Sequence, residues 1–159
     1  MALATIPWIA LLDTRETDTT QRGTYCVYLY REDMSGIYLK LAQGVTETKK
    51  QYGATKGREH LRARAKALRR YCENLEQQGF ALDGDTDLHT NAGLGTDYEA
   101  STIAHKFYAA GAIPDDPVLV DDLEKLLTAY DRYLDSDGVA KSEKVPVEVE
   151  VAISREWQK

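Results

Sequence analysis

Residues that could carry out catalysis are sparse in this sequence. Its three histidines, His60, His89 and His105, stand in no metal-ligand or nucleophile–base motif. The alternating aspartates of residues 83–87 resemble the start of a calcium-binding loop, but Leu88 occupies the position at which such a loop requires glycine. The residues therefore indicate a non-catalytic domain, and we expect neither a metal ion nor a cofactor.

Aromatic residues are the more informative set. Ten of the fourteen aromatic side chains are tyrosines. The first third of the chain contains Trp8, Tyr25, Tyr28, Tyr30, Tyr38 and Tyr52. Tyrosine and tryptophan combine a flat apolar ring with a polar group, which suits them to stacking on a nucleobase. Aromatic residues at alternating strand positions are, however, more often core and cross-strand partners than ligand platforms, so the pattern leaves both uses open.

Charge is distributed unevenly along the chain. The net charge of −6 by itself argues against a nucleic-acid partner, yet residues 49–70 contain nine Lys or Arg against one acid, Glu59. A chain polarised in this way can bind a polyanion through one face. The alternative interpretation is a solvated helix face that balances acids elsewhere. The candidate phosphate-binding residues are Lys49, Lys50, Lys56, Arg58, Arg62 and Arg69.

Hydrophobic periodicity predicts the strands that position these residues. Runs rich in β-branched and aromatic residues predict strands over 5–12, 24–31 and 36–42, the last two forming a hairpin. Over residues 145–153, four valines and an isoleucine occupy alternate positions. This alternation, together with Pro146 and two glutamates, predicts a half-buried strand at the edge of the sheet.

Two segments have helical spacing. Apolar residues predict one helix over 56–78, ending at Gly79, and a second over 117–134. Residues 98–108 fit either the continuation of a capped helix or a strand, and we favour the strand. The predicted fold is α+β, with a mixed, mostly antiparallel sheet of four to five strands packed with two main helices.

Length and composition predict one globular domain over residues 1–159, since 43% of the residues are apolar and 29% are charged. Cys26 and Cys72 lack metal-ligand spacing, and we interpret them as reduced thiols. No apolar run approaches the ~18 residues of a membrane span, and the N-terminus lacks the pattern of a signal peptide. We therefore expect a cytoplasmic protein without a membrane partner.

Three motifs near the amino terminus carry a resemblance to a known family. They are Ile6-Pro-Trp-Ile-Ala-Leu-Leu12, Gly23-Thr-Tyr-Cys-Val-Tyr-Leu-Tyr30 and Gln43-Gly-Val-Thr46. In these motifs the chain resembles the N-terminal DNA-binding domain of McrB-type methylcytosine-specific restriction factors, and still more the broader group of prokaryotic domains named after it. Weaker similarity continues through Leu94-Gly-x-x-Tyr-Glu99 and Tyr130-x-x-Tyr133.

The resemblance implies a function and a set of pocket residues. Domains of the McrB family bind duplex DNA, flip a modified cytosine out of the helix and hold it in an aromatic pocket. In this sequence Trp8 would form a stacking wall and Leu29 an apolar wall beside the methyl group. The family's second aromatic wall falls near Leu94, which is not aromatic, so either Tyr98 takes its place or the pocket differs. Tyr28 completes the candidate base-pocket residues.

The resemblance also implies partners. The domain would belong to a larger prokaryotic restriction protein or complex, bind double-stranded DNA with a modified base such as 5-methylcytosine, and serve a nuclease or GTP-driven motor. The alternative is a protein-interaction module of a defence system, docking through the acidic helix of residues 115–135 or the strand of residues 145–153. A stand-alone hydrolase has the least support, because no nucleophile–base pair is visible.

Overall fold

Five antiparallel strands form one sheet in this computed structural model, which describes residues 3–136 and 148–154. The strands are β1 (Leu3–Leu12), β2 (Thr24–Tyr30), β3 (Gly36–Gln43), β4 (Thr102–Ala109) and β5 (Glu148–Ser154). Their order across the sheet is β4-β3-β2-β1-β5. The predicted α+β fold is confirmed, and every strand pair is antiparallel.

The strand β5 lies at one edge of the sheet, beside β1. Its pairing runs from Leu12 opposite Glu148 to Leu3 opposite Ser154, with an irregularity between Leu3 and Trp8. The predicted edge strand is therefore confirmed over residues 148–154. Its first predicted residues, 145–147, lie outside the described residues.

Side-chain alternation along the strands gives the sheet two apolar faces. Cys26, Leu39 and Ile103 lie on one face, within the larger hydrophobic cluster. Val27 and Leu29 lie on the other face, in a second cluster that includes partly buried aromatic residues. The first face is covered by two helices, and the second is covered only in part.

In the described part of the chain, four α-helices accompany the sheet: α1 (Thr46–Tyr52), α2 (Ala54–Leu68), α3 (Ala92–Ser101) and α4 (Asp116–Ser136). Both α2 and α4 pack on the first face, where they bury Ala65, Leu68 and Leu126 among other residues. The prediction of a helix over 117–134 is confirmed by α4. No helix within residues 3–136 and 148–154 combines the length and apolar character needed to cross a bilayer.

The helix predicted over 56–78 is shorter than expected. It begins at Ala54 and ends at Leu68, and two 3-10 segments, Arg69–Tyr71 and Glu73–Gln78, continue the chain. Hydrogen bonds from Cys72 N–H to Arg69 O and from Leu75 N–H to Cys72 O, at 2.9 and 2.8 Å, tighten the chain here. The tighter turns keep Cys72 and Leu75 buried, which is why the apolar spacing resembled one long helix.

The strand preferred for residues 98–108 is correct only from Thr102 onward. Residues before it belong to α3, whose first turn is capped by Asn91 accepting a hydrogen bond from Leu94 N–H at 2.9 Å. The hydroxyl of Thr102 donates to Tyr98 O at 2.7 Å, at the point where the helix gives way to β4. The single segment therefore contains both predicted alternatives in succession.

Candidate functional site

A half-open cavity of about 580 Å³ lies against the second face of the sheet. Its floor comes from β1, β2 and β3, its roof from α3, and its third side from α1 and the loop that precedes β2. The lining residues are Trp8, Thr20, Gln21, Tyr25, Val27, Leu29, Ala42, Gln43, Val45, Thr46, Lys49, Lys50, Leu94, Asp97, Tyr98 and Ser101. The volume is within the range of about 300–1,000 Å³ that is usual for small-molecule pockets.

Trp8 lies at one end of the cavity floor. It is directly opposite Leu29 in the antiparallel register of β1 and β2, so the two side chains share one face of the sheet. Leu29 is buried, whereas Trp8 is half-buried and lines the cavity. The indole is therefore not sealed inside the core.

The roof is one face of α3. Leu94, Asp97, Tyr98 and Ser101 all line the cavity, and their spacing of three and four residues places them on the same side of a helix. The hydroxyl of Ser101 donates to Tyr98 O at 2.9 Å. Burial, supported by the negative charge of neighbouring Asp97, raises the pKa of Tyr98.

Asp97 connects this roof to the basic segment. Its carboxylate accepts hydrogen bonds from Lys49 Nζ and Arg58 Nε, each at 2.8 Å. Burial opposes ionisation of Asp97, but these two cations outweigh it and hold the pKa of the carboxyl below its usual value. The ion pairs join α1 and α2 to α3.

A close helix contact supports this arrangement. Gly57 of α2 is buried against the backbone of α1, and a Cβ atom at this position would lie 3.4 Å from the Cα of Lys49. The short α1 and the longer α2 meet at Gly53, whose φ of 82° suits glycine. Lys49 is consequently held over the cavity by both its ion pair and its backbone.

Four of the five predicted base-pocket residues meet at the cavity: Trp8, Leu29, Leu94 and Tyr98. Tyr28 does not. Because successive side chains of a strand point to opposite faces, Tyr28 packs against the helix-covered cluster instead. Its inclusion is corrected, since a residue adjacent to Leu29 in the strand cannot share its face.

The predicted phosphate-binding residues separate into three groups. Lys49 and Lys50 line the cavity. Arg58 lies beside Lys49, because both side chains donate to the carboxylate of Asp97. Lys56 and Arg62 are exposed on α2.

Arg69 is placed differently from these residues. Its guanidinium donates to the backbone oxygens of Ile103 and Thr102, each at 3.0 Å. Those hydrogen bonds tie the end of α2 to the start of β4, which is a structural role, and the phosphate-binding role of Arg69 stays a prediction.

Sequence reasoning missed several cavity residues. Asp97 would have been found only from a helix that begins before Leu94, in which it is one turn from Leu94 and next to Tyr98. Tyr25 is two strand positions from Val27 and four from Leu29, so strand alternation predicts it on the same face. Gln43 gives no such signal, because its cavity position depends on a tertiary hydrogen bond from its Nε2 to Leu61 O at 2.9 Å.

The fold and the cavity together define a small α+β binding domain. The chain matches the family model described as MrcB-like, N-terminal domain over residues 2–135, and it belongs to that family. This confirms the family resemblance noted from the amino-terminal motifs. No curated protein and no solved structure matches the chain.

Membership of this family indicates a DNA-binding role in restriction systems. The family is a non-catalytic DNA-binding module. Among the described residues, no group of three or more His, Cys, Asp or Glu is arranged to hold a metal ion.

Proposed function

We propose that this domain binds double-stranded DNA and holds a modified base, flipped out of the duplex, in the cavity beside Trp8. The base would be 5-methylcytosine or a related modified cytosine. The observation that carries the proposal is that Trp8, Leu29, Leu94 and Tyr98, which come from three separate elements, line one cavity.

The energetics suit such a role. Extruding a base from a duplex costs a few kcal/mol. Stacking on an aromatic side chain returns ~1–3 kcal/mol per base, and Trp8 and Tyr98 provide two aromatic rings in the cavity. A buried methyl group adds only about 0.8 kcal/mol. Preference for a methylated over a plain base is therefore expected to be modest.

The charged residues near the cavity suit a duplex backbone. Lys50 lines the cavity, and Lys56 and Arg62 are exposed along α2. Among the described residues, no carboxylate forms an ion pair with any of these three cations. They are therefore available for phosphates, and affinity for any duplex should fall steeply with salt.

In the cell, such a domain would supply specificity to a larger restriction protein or complex. The domain reads the modified base, and a nuclease or a GTP-driven motor in another domain or subunit acts on the DNA. We propose that this takes place in the cytoplasm of a prokaryote.

A comparison of two variants tests the proposal. Affinity is measured by fluorescence anisotropy for two duplexes that differ only in one methylated cytosine. Trp8→Ala should abolish the preference for the methylated duplex, because it removes a stacking surface. Tyr28→Ala is the matched control, since Tyr28 is close in sequence to the cavity residues but lies on the opposite face. It should retain the preference, and circular dichroism verifies that both variants fold.

Two results would contradict the proposal. If the natural protein binds no duplex at low salt, DNA binding is excluded. A preference that survives in folded Trp8→Ala would remove Trp8 from the base site.

A second function, docking of a partner protein, is favoured by one surface. Ile113, Val118 and Val120, near the start of α4, are 44%, 48% and 54% exposed. Exposed apolar residues beside acidic ones suit a protein interface. If the natural protein is stably folded but binds none of the duplexes at low salt, this second function is favoured.

A further inference from the structure

The aromatic and apolar walls of the cavity cannot by themselves distinguish methylated cytosine from thymine. Both pyrimidines carry a methyl group at the same ring position, and thymine has a carbonyl oxygen where cytosine has its amino group. Stacking on an aromatic side chain tolerates every base, and the methyl contact is the same for both. A domain that holds methylated cytosine therefore needs a polar group that rejects thymine.

Among the described residues that line the cavity, Asp97 is the only acid. It lies one helical turn from Leu94 and next to Tyr98, two of the candidate base-pocket residues. Although burial opposes its ionisation, Lys49 and Arg58 hold the pKa of this carboxyl below its usual value. An ionised carboxylate accepts hydrogen bonds and cannot donate them. A hydrogen-bond acceptor is thus fixed on the cavity wall beside the aromatic residues.

The carboxylate of Asp97 has acceptor capacity left for a ligand. Its Oδ2 accepts from Lys49 Nζ and its Oδ1 from Arg58 Nε, each at 2.8 Å. Each oxygen of a carboxylate can accept about two hydrogen bonds. In the part of the chain that the structure describes, no other side chain donates to Asp97. An acceptor site therefore remains on each oxygen.

Lys49 places a donor directly beside this acceptor. Its side chain also lines the cavity, and an ammonium group has further N–H donors besides the one that Asp97 accepts. Lys49 Nζ and Asp97 Oδ2 thus present a donor and an acceptor 2.8 Å apart. Arg58, the other partner of Asp97, does not line the cavity.

This donor and acceptor match the Watson–Crick edge of cytosine, the edge by which a flipped base is read. Cytosine has an amino donor next to the acceptor nitrogen N3, so the amino group can face Asp97 while N3 faces Lys49. Thymine has the reverse order, a carbonyl acceptor next to an N3–H donor. Each group of thymine would then meet a group of its own kind, and polar groups buried without partners are costly. Adenine has the same order as cytosine, so the pair distinguishes amino bases from keto bases.

We infer that Asp97, together with Lys49, determines specificity for the flipped base by selecting an edge on which an amino donor adjoins a ring acceptor. This inference rests on the proposed function and deepens it. The aromatic residues receive the base and its methyl group, and the charged pair rejects thymine. The amino group of the base donates to the Asp97 carboxylate, and Lys49 Nζ donates to the ring nitrogen.

The test uses the full chain and four duplexes that differ at one position. That position is cytosine, 5-methylcytosine, uracil or thymine, and it lies opposite an abasic site in every duplex, so that no base pair has to be broken. Amino and keto bases are thereby compared at equal methylation. Affinity is measured by competition anisotropy at one salt concentration. We expect 5-methylcytosine to bind about 10- to 100-fold tighter than thymine, the range expected for a hydrogen bond to a charged group.

Three variants assign this discrimination to the charged pair. Asp97→Asn introduces an amide that both accepts and donates, so it should lose most of the discrimination. Lys49→Met removes the group that opposes the N3–H of thymine and should also reduce the discrimination. Arg58→Met is the matched control, because it removes the other ion pair of Asp97 but no group that lines the cavity. It should keep the discrimination of the natural protein, since any loss of affinity applies to both bases alike.

The comparison of Lys49→Met with Arg58→Met keeps the inference falsifiable if Asp97→Asn does not fold, which circular dichroism determines. Equal affinity of the natural protein for 5-methylcytosine and thymine, or tighter binding of thymine, would overturn the inference. Unchanged discrimination in folded Asp97→Asn, or an equal loss in Lys49→Met and Arg58→Met, would also overturn it.

The same duplexes separate this inference from the proposed function. A preference for methylated over plain bases without a preference for amino bases would overturn the inference and leave the proposed function standing. A preference for amino bases without one for methylated bases would support the inference and contradict the choice of a methylated base. Equal affinity for all four duplexes would overturn both.

Discussion

The ammonium group of Lys40 should make the stability of this domain depend on pH in an unusual direction. Lys40 has no solvent exposure, and its Nζ donates to the hydroxyls of Thr86 and Thr102, each at 2.9 Å. The ring of Tyr38 is 5.3 Å away. Burial lowers the pKa of Lys40 to about 7, against a weaker opposing effect of Glu99. The folded state therefore favours the neutral amine.

The magnitude follows from linkage. In the unfolded chain the lysine keeps a pKa of about 10.4, so between these two values the unfolded state binds more protons than the folded state. The free energy of unfolding must then rise with pH across this interval. Integration from pH 7 to pH 9 gives a contribution of about 2 kcal/mol from this one group.

Lys40→Met removes the titrating group and retains most of the side-chain length. Urea denaturation is followed by circular dichroism at pH 7 and at pH 9 for both proteins. The natural protein should gain about 2 kcal/mol relative to the variant between the two pH values. Burial raises the pKa of Cys26 and of Tyr130, which lowers stability in alkali, but this effect is common to both proteins and cancels. An identical pH dependence of the two proteins would refute the reasoning.

Three further predictions concern charged residues. Asp97→Asn should destabilise the domain by about 1–3 kcal/mol at pH 7, less than for a fully buried pair because Lys49 is 39% exposed. In urea denaturation this loss should shrink towards pH 3, because a carboxyl with a lowered pKa stabilises the fold only when ionised. The double variant Lys50→Glu, Lys56→Glu should weaken binding to plain and modified duplexes alike. It should also make the slope of log affinity against log salt about 2 less steep, because two phosphate contacts are lost. An unchanged slope would show that neither residue contacts the DNA. Arg69→Ala should lower the thermal melting temperature without changing that slope, and a reduced slope would return Arg69 to the interface.

The sheet and α4 could be predicted from sequence because their apolar periods are local and uninterrupted. The helix end at Leu68 could not, because Cys72 and Leu75 continue the helical spacing although 3-10 hydrogen bonds bury them. The junction of α3 and β4 was ambiguous, because Ser101 and Thr102 suit either element until Tyr98 O accepts their hydroxyls.

The candidate site could be predicted where side-chain types and strand register carried the signal. Trp8 and Leu29 belong to motifs of the resemblance, and the register places them opposite each other. Tyr28 lies on the opposite face because side chains of a strand alternate, so its neighbour Leu29, and not Tyr28 itself, faces the cavity. The ion pairs of Asp97 could not be predicted, since they join segments distant in sequence that only packing brings together.

The central claim is that a base leaves the duplex and stacks on Trp8. The chain contains two tryptophans, so Trp157→Phe leaves Trp8 as the single indole. Its fluorescence is titrated with duplexes that differ only at one modified cytosine. We predict saturable quenching of Trp8 by the modified duplex and little change with the plain duplex at equal occupancy. The same signal with both duplexes, or no change with either despite binding, would contradict the account.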